Sequence, residues 1–232
     1  MKKGLDEKYN INENIFDKDC EEKYYWLGFI YGDGYINKNR LQLALGIVDI
    51  LHLEKLCIFL GNKKRPIRIF EVDGNNYCEV RIRNNTLRDS FEKYEITVNK
   101  EDREKNIIGM IPEEYIRFFL RGLFDADGCI GFLKENRWGF CELTGREYLI
   151  KDILNYLGSI NIIENNKLYK NGSIYRIRFN KDESKRFLKY IYFPNCNIYL
   201  NRKYEKFLLY FNKSYNPEEI NQWNLQNKEK LK

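Results

Sequence analysis

The chain has 232 residues and 28.2 kDa, with 40 Lys and Arg against 34 Asp and Glu, a net charge of +6 and 16% aromatic residues. That is room for one to two domains, and aromatic and branched residues recur too densely for a disordered chain. No apolar run reaches the roughly 18 residues of a membrane span and no signal peptide opens the sequence, so an intracellular protein without a membrane partner is expected, cytoplasmic or organellar.

One histidine, His52, and six scattered cysteines with no CxxC pair leave no material for a Ser-His-Asp triad, a multi-histidine centre or a zinc module. Chemistry must come from carboxylates, lysines or a metal. The cysteines are expected as small core residues. His52 lies off the apolar face of Ile50, Leu53, Leu56 and Leu60 and is expected on the solvated surface.

In chain order, residues 1–20 read as a lead-in and a helix is predicted from Glu21 to Tyr31. Two strands follow, then helices near Ile50 to Leu60 and Thr86 to Tyr94 with a hairpin between them, turned at Asp73-Gly74. The same order then returns, with helices at Glu113 to Phe124, Arg146 to Leu157 and Lys181 to Tyr190, a hairpin at Asn171-Gly172, and a last helix near Asn201 to Phe211. Residues 214–232 read as a polar tail. The segment YYWLGFIYGDG (24–34) recurs as FFLRGLFDADG (118–128), 94 positions on. Residues 39–61 align with 136–158 at an offset of 97, which places three extra residues within Ile130 to Glu135. The expected fold is α+β, built of two tandem pseudo-symmetric αββαββα repeats at 21–105 and 106–213. Alternation puts Glu79, Arg81 and Arg83, and in the second copy Arg176, Arg178 and Asn180, on one sheet face, with Val80, Ile82 and Ile177 on the other.

Gly28 and Gly32 are four apart in the first motif, as are Gly122 and Ala126 in the second, so each motif helix has a small-residue face. For one copy alone, Gly34 or Gly128 as a helix stop is sufficient explanation. With two copies, the helices can approach backbone to backbone, bringing Asp33 and Asp127 side by side at helix C-termini. Acids there oppose the helix dipole and each other. Either one is protonated or a cation is bound, and carboxylate plus carbonyl oxygens suit Mg2+ or another divalent ion such as Mn2+. The pattern is consistent with a metal-assisted phosphodiester hydrolase.

The stretches Trp26 to Gly34 and Leu120 to Gly128 resemble the name-giving nonapeptide of the LAGLIDADG homing endonucleases. Both keep the acidic eighth position. At the sixth, Tyr31 stands where the second copy has Asp125. The resemblance implies motif helices at a pseudo-two-fold interface and two antiparallel sheets forming a saddle on double-stranded DNA. It implies a monomer that cuts both strands of a long, asymmetric target across the minor groove, leaving short 3′ overhangs. Asp33 and Asp127 then correspond to the catalytic acids and metal ligands, with the carbonyls of Gly32 and Ala126 as additional ligands. Family members place a lysine near each site; Lys105 and Lys203 lie 72 and 76 residues after their motif aspartates. Asp49, aligned with Arg146, occupies a position where the family often holds a solvent-positioning polar residue.

For DNA reading, the candidates are Lys38, Arg40, Gln42, Arg68, Arg81 and Arg83 in the first half, with Lys134, Arg137, Arg176 and Arg178 in the second. Two alternatives remain open: a maturase acting on intron RNA, and a catalytically silent DNA-binding protein of the same fold.

Overall fold

The computed structural model describes residues 11–37, 40–61, 65–96, 106–132, 139–164, 167–192, 196–218 and 220–222. The first repeat runs α1 (Glu21–Asp33), β1 (Tyr35–Asn37), β2 (Arg40–Gly46), α2 (Ile50–Phe59), β3 (Arg68–Val72), β4 (Asn75–Arg83) and α3 (Asn85–Glu92). The second runs α4 (Glu113–Asp127), β5 (Gly128–Phe132), β6 (Gly139–Gly145), α5 (Glu147–Ser159), β7 (Tyr169–Asn171), β8 (Ile174–Arg178) and α6 (Lys181–Tyr192), and α7 (Asn201–Ser214) follows. Each repeat holds one four-stranded antiparallel sheet, in the orders β1-β2-β4-β3 and β5-β6-β8-β7.

The hairpin turns form where glycine follows a short polar residue. Val72 pairs with Asn75 across Asp73 and Gly74, whose φ values of 49° and 77° make the mirror-image turn that matches strand twist. Asn171 pairs with Ile174 across a turn that holds Gly172 at φ 62°. Alternation sorts the faces: Leu41, Leu43, Leu45, Val80 and Ile82 are buried beneath the helices, while Arg81 and Arg83 face outward. Glu79 is the exception on the outward face, for it is buried at 1% exposure.

The strand alignment differs from the ungapped one. Tyr35 faces Gln42, and its counterpart Cys129 faces Glu142, so Gln42 corresponds to Glu142, an offset of 100 rather than 97. The second copy therefore carries six extra residues (100 − 94) between its first two strands, not three. Three are given back before the next helix, where the 3-10 turn Ile47–Asp49 leads into α2 but Arg146 alone separates β6 from α5. An odd shift in a strand exchanges its faces. At an offset of 97 the inward Leu43 and Leu45 would correspond to Phe140 and Glu142, whereas the observed register buries Cys141 and Leu143.

Among the described elements, α1 and α4 share the most extensive contact. Neither has a full polar face: Lys23 to Tyr31 are all buried in α1, as are Phe118 to Asp125 in α4, the mark of a helix enclosed on every side. Small residues permit the contact. A Cβ on Gly28 would lie 2.0 Å from the carbonyl oxygen of Phe119, and one on Gly122 would lie 1.9 Å from that of Tyr25. One turn on, Gly32 packs on Ala126. The contacts advance in the same direction along both helices, so the two run parallel and end together.

Gly34 and Gly128 do end these helices, but not as left-handed stops. Their φ values are −70° and −84°, and the chain passes straight into a strand. What demands glycine is space: a Cβ would lie 2.4 Å from the Ile30 oxygen at Gly34, and 2.2 Å from the Phe124 ring at Gly128.

Of the cysteines, Cys57, Cys78 and Cys141 are buried, but Cys129 is exposed because its position on β5 points outward, opposite Glu142.

Gly28→Ala or Gly122→Ala forces a methyl group into a backbone carbonyl that cannot swing aside. Each is expected to lower unfolding free energy in urea by about 2–3 kcal/mol or more, in the range of core overpacking. Gly46→Ala, whose Cβ would meet only Val48 at 3.9 Å, is the control and should change little.

Candidate metal and nucleic-acid site

The parallel helices bring the two acids together. A Cβ on Gly32 would lie 2.8 Å from Oδ2 of Asp127, so the Asp127 carboxylate rests against the residue preceding Asp33. Asp33 is exposed and Asp127, Gly32 and Ala126 are half-buried. Neither helix has a basic residue in its last turn. Two carboxylates and two negative helix ends thus share one solvent-accessible spot, a place that favours a cation. These are hard oxygen donors, and two carboxylates leave most of the octahedral shell of Mg2+ to water and phosphate.

Lys203, in the first turn of α7, is not a solvated lysine. It is buried at 5% exposure, and its Nζ donates to the carbonyl oxygens of Phe124, at 2.9 Å, and Gly128. Burial pushes its ammonium down to about 8, against the pull of Asp125 and, more weakly, Asp33. Lys105, its expected counterpart, lies outside the described residues.

Asp49 is buried before α2 and accepts a 2.8 Å hydrogen bond from Nε of Arg202. Its carboxylate fastens the first repeat to α7. Lys55 makes a parallel tie, donating to the Tyr199 carbonyl and the Asn201 side chain at 2.9 and 2.8 Å.

Behind the motif ends lies a polar network that sequence reasoning did not foresee. Asp125 is fully buried and accepts hydrogen bonds from the Tyr25 hydroxyl at 2.7 Å, the Tyr192 hydroxyl and the Leu200 amide at 2.7 Å. Burial raises its carboxyl above the usual range, while these donors pull it down. The Tyr25 hydroxyl also meets Nε2 of His52 at 3.1 Å. His52 is therefore not a surface residue: at 2% exposure it packs among Tyr25, Trp26 and Phe29. The apolar stripe of α2 faces the sheet, but α1 covers a second side of that helix, which one helix's periodicity does not reveal.

A family model described as a LAGLIDADG-like domain matches residues 114–192. The chain is 27% identical over 164 residues to reverse gyrase of Methanocaldococcus jannaschii, covering 68% of this chain and 9% of that protein. It is 32% identical over 123 residues to a probable translation initiation factor IF-2 of Thermococcus kodakarensis, covering 52% of this chain and 10% of that protein. The chain thus spans about a tenth of the length of these relatives. Among solved structures it is similar to the LAGLIDADG meganuclease I-AabMI bound to uncleaved DNA, with a TM-score of 0.51 and 14% identity over 88% of this chain and 97% of that one. Similar likenesses hold for the homing endonuclease I-LtrWI bound to target DNA, with TM-score 0.52, 11% identity and 93% and 97% coverage, and for mesophilic variants of the homing endonuclease I-DmoI, with TM-score 0.55, 17% identity and 83% and 97% coverage. At these identities the likeness to solved structures is one of fold.

The chain has the two-repeat LAGLIDADG fold, with a LAGLIDADG-like domain at residues 114–192.

In this fold the outward face of each sheet is organised around one carboxylate. Glu79 accepts from Gln42 at 2.8 Å, Arg68 at 2.7 Å and Arg81 at 2.8 Å. In the second sheet, Glu142 pairs with Arg176 at 3.6 Å and Arg178 at 3.3 Å. Arg40 stands directly opposite Arg83, a like-charged pair across two strands. All seven described basic or amide candidates of the sheets thus share these two faces, and Lys38, Lys134 and Arg137 lie outside the described residues. Alternation alone places Glu79 on its face; Glu142 becomes recognisable only once the register is known.

Burial, and then the nearby Lys55 and Arg202, hold the His52 imidazole down at about 3, against 6.5 when free. The unfolded chain therefore binds a proton between these values that the folded chain refuses, and stability falls as pH drops from about 6.5 towards 3. His52→Gln should flatten that slope, measured as urea midpoints across the interval for the two proteins.

Proposed function

We propose that this chain is a site-specific DNA endonuclease that uses divalent metal to cut both strands of a long, asymmetric duplex, leaving short 3′ overhangs. The observation that carries the reading is the convergence of Asp33 and Asp127 at the paired ends of α1 and α4, at the junction of two sheets with arginine-lined outward faces. Support comes from the fold it shares with I-AabMI and I-LtrWI, captured on DNA, and with I-DmoI, captured with DNA and Mn.

In this reading Asp33 and Asp127 hold the metal, with the Gly32 and Ala126 carbonyls beside them, and each acid serves one strand. A divalent cation held there would supply charge neutralisation at a scissile phosphate and would make a bound water more acidic. Lys203 supplies a fixed positive charge next to the site, where phosphate charge builds up in the transition state. Asp49 acts through Arg202, which neighbours Lys203 on α7. The outward arginines contact phosphates and base edges, and Glu79 and Glu142 hold them in fixed poses, so the bases are met by a rigid pattern. Such a surface suits the major groove, where each base pair shows a distinct donor and acceptor pattern.

The test is selection of cleaved sites from a randomised duplex library in Mg2+ or Mn2+. Asp33→Asn and Asp127→Asn are each expected to reduce double-strand cutting by at least about a hundredfold, the scale of losing one transition-state electrostatic group, while retaining DNA binding in gel shift. Normal cutting by either variant overturns the site. Glu79→Gln should release Arg68 and Arg81 toward phosphates. Non-specific duplex binding, followed by fluorescence anisotropy, should tighten, and the slope of log affinity against log salt should steepen by about one per added contact.

A further inference from the structure

Asp125 and Tyr31 occupy the same place in the two motifs, and the structure gives them different work. Tyr31 is a buried ring packed edge-on against Phe119, with centroids 5.8 Å apart. Asp125 is a buried carboxylate that gathers three donors from three separate parts of the chain: Tyr25 on α1, Tyr192 at the end of α6, and the amide of Leu200. Leu200 is the residue that caps the start of α7, and its carbonyl in turn accepts from the Lys203 amide at 3.0 Å. Lys203 reaches back to the carbonyls of Phe124 and Gly128, which bracket Asp125 and Asp127 in the sequence. The first turn of α7 is thus bonded to the end of α4 at both its backbone and its lysine.

Resting on the endonuclease reading, we infer that Asp125 is a positioning residue for Lys203, and that it serves one strand's cleavage more than the other's. Asp125 itself touches no substrate, since it is fully buried. It acts through the Leu200 amide, which sets where the first turn of α7 begins and hence where the Lys203 ammonium stands. A group displaced by about 1 Å from its working position can cost about a hundredfold in rate. Tyr31 offers no carboxylate at the matching place, so the two motifs differ at this position. Cutting of the strand that Lys203 serves then depends on Asp125.

The experiment uses the full chain and a duplex taken from the cleavage selection, labelled at the 5′ end of one strand or the other, with strand-resolved single-turnover rates. Lys203→Met should slow one strand by about a hundredfold, and Asp125→Asn should slow the same strand at least about tenfold relative to its partner. The double variant should be no slower than Lys203→Met alone, because residues acting through one another are not additive. If Asp125→Asn fails to fold by circular dichroism, Leu200→Pro removes the same amide at a φ of −79°, which proline accepts, and should give the same strand bias. Equal slowing of both strands, or a double variant in which the two losses multiply, overturns the inference and leaves the endonuclease reading intact. A wild-type chain that cuts no site in the library overturns that reading and this inference together.

Discussion

Everything in this molecule depends on two helices touching at their backbones. The Phe119 carbonyl lies over Gly28 and the Tyr25 carbonyl over Gly122, so closely that neither position has room for a methyl group. Contact at that distance replaces side-chain packing with backbone dipoles and Cα–H donors. It also removes the freedom of the two repeats to slide, because a shift along either helix would drive a larger residue into the glycine gap. The parallel helices must therefore end at the same level, and the aspartates that end them must meet.

The meeting point carries an electrostatic cost that the rest of the structure manages without removing it. Two acids sit at two negative helix ends, and Lys203 binds helix-end carbonyls beside them. Behind it, Asp125 is held by hydroxyl and amide donors in a dry interior, where an unpartnered carboxylate would be prohibitive. In the proposed reading, the solvent side of Asp33 and Asp127 is where a divalent ion and a phosphate would lower the energy of the whole assembly.

The sheets apply the same logic to a broader surface. Arginines gathered on one face repel one another, and Glu79 and Glu142 offset that repulsion while fixing side chains that would otherwise wander. A flexible arginine loses rotamer entropy on meeting a phosphate or a base, whereas one already held by a carboxylate has lost it during folding. The modest net charge of +6 is therefore a poor measure of these faces, since part of the acid in the chain is spent in organising the basic residues.

The sequence by itself determined the repeat, the order of helices and strands, the hairpin turns and the pair of motif aspartates, because these rest on local rules: periodicity, turn chemistry and small residues four apart. It also determined, through Gly28, Gly32, Gly122 and Ala126, which helix faces could meet. Only the tertiary structure decided the strand register of the second copy, since choosing between offsets of 97 and 100 requires knowing that Cys141 and Leu143, and not Phe140 and Glu142, face the helices. It alone moved His52 from the surface to the interior, because a residue outside one helix's apolar stripe can still be covered by another helix. The tie from Asp125 to Leu200, 75 residues on, and the one from Asp49 to Arg202, 153 residues on, were likewise invisible. Their spacing obeys no period, and the donors become neighbours only after the two repeats have closed around their glycines.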